Sequence, residues 1–193
     1  MLALNLKRVE TLYALDKLFF QAFKVVFFLG VLSILTLSIS QQVFAASAFE
    51  IPRSEVFELI DPNSHRTYPI FVKLPRSYAH SKDKKYPVIY LTDAMYSFQV
   101  VSGVTRFPMN SRKMHEAIIV GISYAKQDVG AASRVRDYTP TKVNSWKMKT
   151  GDAAKHVVFL QNTVFPSIER KFRAKNVGRT FIGHSLGGLF GAY

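Results

Sequence analysis

A chain of 193 residues, 48% hydrophobic and 13% aromatic, carries enough apolar material for a sizeable core, which excludes the disordered class. It contains no cysteine, which excludes a disulfide framework, a thiolate metal site and a thiol nucleophile. With 26 Lys and Arg against 13 Asp and Glu the net charge is +13, so anionic partners concentrate at its surface.

The first element is an apolar run without charge, residues 25–39 (VVFFLGVLSILTLSI). It is shorter than the roughly 20 residues a membrane span needs, but suits the centre of a secretory signal. Lys7, Arg8, Lys17 and Lys24 supply the positive region ahead of it. Val43-Phe44-Ala45 and Ala46-Ser47-Ala48 both offer the small side chains that a signal peptidase grips. Residues 1–48 therefore read as a signal peptide cut after Ala45 or Ala48, and the expected location is the periplasm or the outside of the cell. A retained anchor and a buried helix are the alternatives, because the stretch before the run is long for a signal. Residues 1–48 hold four basic and two acidic residues, so residues 49–193 keep 22 and 11, a net +11. No basic helix or aromatic-basic reader motif accompanies that charge, and no nucleic-acid partner is expected. A generally cationic soluble surface is the plainer reading of the charge and an anionic small molecule the sharper one. Membrane contact is expected only through the signal segment.

From residue 49 onward β-type and α-type patterns alternate. Residues 55–60 and 67–74 flank the turn signal Asp61-Pro62-Asn63-Ser64 and predict an antiparallel hairpin. Residues 77–85 are polar and read as a surface loop. Residues 86–91 (YPVIYL) and 117–123 (AIIVGIS) are near-continuous apolar strands, of the kind buried on both faces of a sheet. Between them a crossover is required, with a helix near residues 96–101 and a loop around Pro108. The polar stretch 126–150 reads as a long binding loop. In residues 152–172, Ala154, Val157, Val158, Gln161, Val164, Phe165, Ile168 and Phe172 share one helical face, with Asp152 at its start. Pro166 predicts a kink or a fresh helix start. A polar turn at 174–178 leads to a short strand, 179–182, that runs into Gly183. This is the grammar of a mostly parallel sheet with helices on its faces.

The chemistry lies in Gly183-His184-Ser185-Leu186-Gly187. Gly-x-Ser-x-Gly alone arises by chance in about 6% of chains this long, so context has to decide. Here it follows a predicted strand and opens a small-residue helix, the setting a nucleophile elbow requires. Ser185 then sits on a sharp turn with its hydroxyl clear of the backbone. Side chains at Gly183 and Gly187 would collide with the neighbouring strand and helix. The helix start aims N–H groups where negative charge develops on an attacked carbonyl, and Leu186 N–H is one such donor.

Together with Tyr86-Pro87-Val88-Ile89-Tyr90-Leu91-Thr92-Asp93 and Arg136-Asp137-Tyr138-Thr139-Pro140, the stretch Gly183–Gly188 resembles the esterase D-like α/β-hydrolases, most closely their periplasmic siderophore-esterase branch. The resemblance runs from about residue 64 to residue 193. It implies an α/β-hydrolase three-layer sandwich over residues 49–193, cut short after the nucleophile elbow. It further implies a serine esterase with Ser185 as nucleophile and no metal or cofactor. In the relatives a second oxyanion donor follows a Leu-Leu-Asp-Gly stretch, which places it here at Met95 N–H. Arg134 and Arg136 are then candidates to touch substrate or oxyanion, or else form an ion pair with Asp137.

In such hydrolases an acid and a histidine follow the serine in the chain. Neither residue type occurs after Ser185. His184 is expected to pack the elbow, and His65, His80, His115 and His156 to face solvent. The expectation is an inactive, marginally stable N-terminal part of an esterase for a small or siderophore-like ester. A non-catalytic remnant or binding module and an acyltransferase of the same fold are the alternatives.

Overall fold

A computed structural model describes residues 17–29 and 48–193. The chain divides into two units, Met1–Ala48 and Phe49–Tyr193. In the first, residues 17–29 form a helix, α1, whose described side chains are all exposed. No described helix is long and apolar enough to cross a membrane. The rest of the apolar run, Lys7, Arg8 and the cleavage position at Ala45 lie outside the described residues.

The second unit is built on five strands: β1 (Ser54–Ile60), β2 (Thr67–Lys73), β3 (Val88–Leu91), β4 (Ile118–Ile122) and β5 (Thr180–Ile182). Their spatial order is β1-β2-β4-β3-β5. The hairpin of β1 and β2 is antiparallel in the register Ser54↔Lys73 to Ile60↔Thr67, and β2 runs antiparallel to β4. β4, β3 and β5 are mutually parallel neighbours. The sheet is therefore mixed, parallel where the elbow lies and antiparallel at the hairpin.

Alternation along the strands divides the core in two. Val88, Tyr90, Ile118, Val120 and Ile122 face one layer, with Ile70, Phe159, Val164, Ile168 and Phe190. Ile89, Leu91 and Ile119 face the other, under Ala94, Phe98, Val101 and Met109. Burial of both faces is what the continuous apolar strands require. The second layer is α2 (Ala94–Val104) and α3 (Arg106–Asn110). α2 comes close because Gly121 has no side chain: a Cβ there would lie 2.8 Å from the Ala94 Cβ.

Two local expectations change and a third is met. The segment around Pro108 is helical, since a proline in the first turn of a helix has no N–H to leave unpaired. The polar stretch 126–150 contains α4 (Gly130–Tyr138), whose Ser133, Val135, Arg136, Asp137 and Tyr138 are buried. Its polar residues find partners inside, so polarity did not mean loop. The long helix is α5 (Ala153–Phe159) and α6 (Phe165–Lys171), joined by a π-helical turn at Leu160–Val164. Pro166 has no N–H for the helical ladder, and Phe165 N–H reaches back five residues to Leu160 O. α6 begins at Phe165 with Pro166 in its first turn, the fresh helix start that Pro166 predicts.

His156 was expected in solvent, yet it is buried among the rings of Tyr68, Tyr138, Phe159 and Phe190. Burial disfavours its charged form and holds its pKa below the ordinary 6.5, against an upward pull from Asp137. The unfolded chain binds the proton more tightly, so the stability this neutral ring contributes above pH 6.5 is lost as pH falls below that value. Denaturation of the wild type should lose stability from about pH 6.5 downward more steeply than that of His156→Phe; parallel curves would show that the ring is not titrating.

Candidate active site

β3 and β5 are adjacent and parallel, with Leu91 opposite Ile182, and Thr92 N–H donates to Ile182 O at 3.2 Å. Their C-terminal ends therefore release two turns side by side. One is Asp93-Ala94-Met95, leading into α2. The other is Gly183-His184-Ser185, leading into α7 (Leu186–Ala192).

Ser185 caps α7 with φ 56° and ψ −120°, a region that non-glycine residues avoid, and it is exposed. Holding a residue there costs on the order of 1–3 kcal/mol, which the surrounding packing has to offset. The glycines do what their spacing implied. A Cβ on Gly183 would lie 2.1 Å from Gly187 O, and one on Gly187 would lie 2.2 Å from Thr92 Oγ1. The second contact also shows that the start of α7 rests directly on the Thr92–Asp93 turn. Leu186 N–H and Met95 N–H make no hydrogen bond to another described residue, and neither does the Ser185 hydroxyl. Both proposed oxyanion donors are thus free to serve an acceptor outside the chain. His184, expected to pack the elbow, is exposed. His65, His80 and His115 are exposed as well.

Asp93 joins the two turns, a role the sequence reading did not give it. It sits at φ 56° and ψ 44°, a left-handed conformation that aspartate tolerates, and is 1% exposed. Its Oδ1 accepts from Arg134 Nε at 2.9 Å and from the Tyr124 hydroxyl at 2.8 Å. Arg134 Nη2 also donates to His184 O at 3.4 Å, so a single guanidinium spans from the β3–α2 turn to the elbow. The hydrogen bond to Asp93 raises the pKa of Arg134, while burial together with Asp93 raises that of Tyr124. Arg134 thus stays charged and Tyr124 stays protonated, the forms that donate to Asp93. Tyr138 completes the set by accepting from Asp93 N–H at 3.3 Å.

The two arginines separate. Arg134 reaches the elbow and retains partial exposure. Arg136 is buried, bonded through Nε to Asp137 Oδ1 at 2.7 Å and through Nη1 to Asp128 Oδ2 at 2.5 Å. Burial opposes its charge, but Asp137 and Asp128 outweigh it and the pKa rises. For Arg136 the geometry favours the ion pair over a substrate contact. Residues two apart on a helix point about 200° from one another, onto opposite faces, and the sequence, read as a loop here, did not tell which one faces in.

Residues 63–192 match the family model described as "Putative esterase". The chain belongs to the esterase family. It is 32% identical over 160 residues to the ferri-bacillibactin esterase BesA of Bacillus subtilis strain 168, covering 75% of this chain and 54% of that protein. The BES protein of Bacillus cereus superposes with a TM-score of 0.66 at 27% identity, over 75% of this chain and 56% of that one. An IroE-like serine hydrolase from Shewanella oneidensis gives 0.62 at 29% identity, over 71% and 44%. The chain spans about half the length of these relatives.

Two variants test the architecture. Gly183→Ala should destabilise by about 2–4 kcal/mol, because backbone rather than a flexible side chain blocks the new Cβ. Arg134→Met should cost about 2 kcal/mol by leaving Asp93 buried with one partner fewer, and hydrogen exchange should quicken in both turns. Unchanged exchange at residues 183–187 would mean that Arg134 does not connect them.

Proposed function

We propose that Ser185 is the nucleophile of a carboxylic-ester hydrolase, with Leu186 and Met95 N–H groups as its oxyanion donors. One observation carries this reading: an exposed serine held at φ 56° between a strand and a helix, its hydroxyl unpaired among the described residues. Ser185 Oγ adds to the ester carbonyl carbon while its proton passes to a general base. The carbonyl oxygen takes up negative charge, and the two N–H groups are positioned to stabilise it. Collapse of the adduct expels the alcohol, which leaves with the proton held by the base. Water then repeats the sequence on the acyl-serine, releasing the acid and restoring Ser185.

No described histidine bonds to the Ser185 hydroxyl, so we assign the base and its orienting acid to sequence beyond these 193 residues. The chain spans 54% of the length of the Bacillus subtilis relative, which leaves room for both groups, and we propose that the 193 residues alone do not turn over ester. That no described histidine reaches the Ser185 hydroxyl is what favours the second reading, a non-catalytic remnant of the fold. Similarity to a ferri-bacillibactin esterase and the net +11 of residues 49–193 support a small, siderophore-like anionic ester as substrate. The apolar run with basic residues before it supports export, to the periplasm or the outside of the cell, with residues 1–48 removed.

Aryl-acetate hydrolysis checks both halves. The 193-residue chain should show no more turnover than its Ser185→Ala variant. A chain extended through its downstream reading frame to an acid and a histidine should turn over, and Ser185→Ala should reduce kcat by roughly 10⁴-fold or more. In that extended chain Met95→Pro, which removes the second N–H, should cost about 10²–10³ in kcat. Turnover in the extended chain that survives Ser185→Ala would reject the nucleophile. A stop codon directly after codon 193 would favour the remnant.

A further inference from the structure

A second concentration of charge lies at the opposite end of the sheet from Ser185. Lys73 closes β2 opposite Ile119 at the beginning of β4, whereas the elbow follows the C-terminal ends of the parallel strands. Here Arg53, Lys73 and Arg106 line a pocket of about 240 Å³ with Gln99, Ser102 and Gly103 of α2. Phe49, Ile51 and Pro52 form the remainder of its wall. No carboxylate lines it, and none of the three cations forms an ion pair among the described residues.

That is an unusual way to leave three positive charges. Lys73 is 8% exposed and its Nζ donates to Ser102 O at 2.7 Å. One carbonyl near the end of α2 satisfies one of its three donors and brings no formal negative charge. Burial lowers the Lys73 pKa, and the nearby guanidinium groups of Arg53 and Arg106 lower it further. The positive potential in this pocket is therefore uncompensated from within. Arg53 Nε donates to Leu74 O at 3.2 Å, which orients its side chain without neutralising it. Ser102 is 2% exposed, and its hydroxyl has no hydrogen-bond partner among the described residues. A buried hydroxyl without a partner is destabilising, so a ligand that engaged it would recover part of that cost.

We propose that the pocket formed by Arg53, Lys73, Ser102 and Arg106 binds a small organic carboxylate, its anionic head among the cations and its apolar part against Phe49, Ile51 and Pro52. The pocket is smaller than the roughly 300–1,000 Å³ of sites for drug-sized ligands, which fits a short acid rather than an extended one. It is separate from the elbow and does not depend on the chemistry at Ser185.

Calorimetric titration of the full chain with hexanoate tests the assignment, with hexanamide as its neutral counterpart and inorganic phosphate as a head group lacking a tail. Hexanoate should bind, and hexanamide and phosphate should each bind at least tenfold more weakly. Arg53→Gln and Arg106→Gln, both at exposed positions, should each weaken hexanoate about tenfold while leaving the thermal transition in place. Lys73→Met should weaken it further, and the two arginine variants keep the test decisive if Lys73→Met does not fold. Ser185→Ala should leave binding unchanged. Equal binding of hexanamide, indifference to both arginine variants, or loss on Ser185→Ala would overturn the site. Phosphate as tight as hexanoate would overturn the role of the apolar wall.

Discussion

The contact on which the site depends is the bond between Asp93 and Arg134. Asp93 is almost fully buried at the end of a central strand, in a left-handed turn, with a carboxylate that could not remain there uncompensated. Arg134 supplies the opposite charge and, from the same guanidinium, holds the His184 carbonyl one residue before Ser185. A single side chain from α4 therefore couples the turn that carries Met95 to the turn that carries Ser185. The tyrosines at 124 and 138 add neutral hydrogen bonds to the same aspartate. Tyr124, Arg134 and Tyr138 lie 31, 41 and 45 residues from Asp93 along the chain, so the arrangement forms only once the sheet has.

Close packing completes what electrostatics begins. The elbow turns so tightly that the space for a Cβ at Gly183 is filled by the backbone of Gly187, and the space at Gly187 is filled by Thr92. On the far side of the sheet Gly121 removes a side chain so that Ala94 can seat α2. Each missing Cβ allows one element to approach the next. Together they fix where the free N–H groups of Leu186 and Met95 lie relative to the serine. The strain at Ser185 is then a consequence of packing, held in place by contacts that a flexible loop would lack.

Charge is distributed unevenly around this framework. At the elbow end the arginines are matched: Arg134 by Asp93, and Arg136 by Asp137 and Asp128. At the other end Arg53, Lys73 and Arg106 converge on one pocket without an acid. A basic composition can mean a uniformly cationic surface, but here part of the excess is gathered where strands β2 and β4 meet α2. The net charge of the chain did not reveal that division.

Much of the framework was legible from local pattern. The hairpin turn at Asp61–Ser64, the two doubly buried strands and the glycine spacing around Ser185 are short-range features; they gave away the fold class and singled out Ser185 as the candidate nucleophile. What pattern alone could not supply depended on contacts distant in sequence. Residues 130–138 looked like a loop because their polar side chains are satisfied by partners as remote as Asp93 and Tyr68. His156 looked solvent-facing because the rings that bury it come from β2, α4, α5 and α7. Arg134 and Arg136 carry the same charge two residues apart, and only the tertiary structure sent one towards the elbow and the other into the core. Sequence determined which groups are present and how the chain bends locally. Which of them meet was decided by the sheet, because hydrogen bonds and burial act across space rather than along the chain.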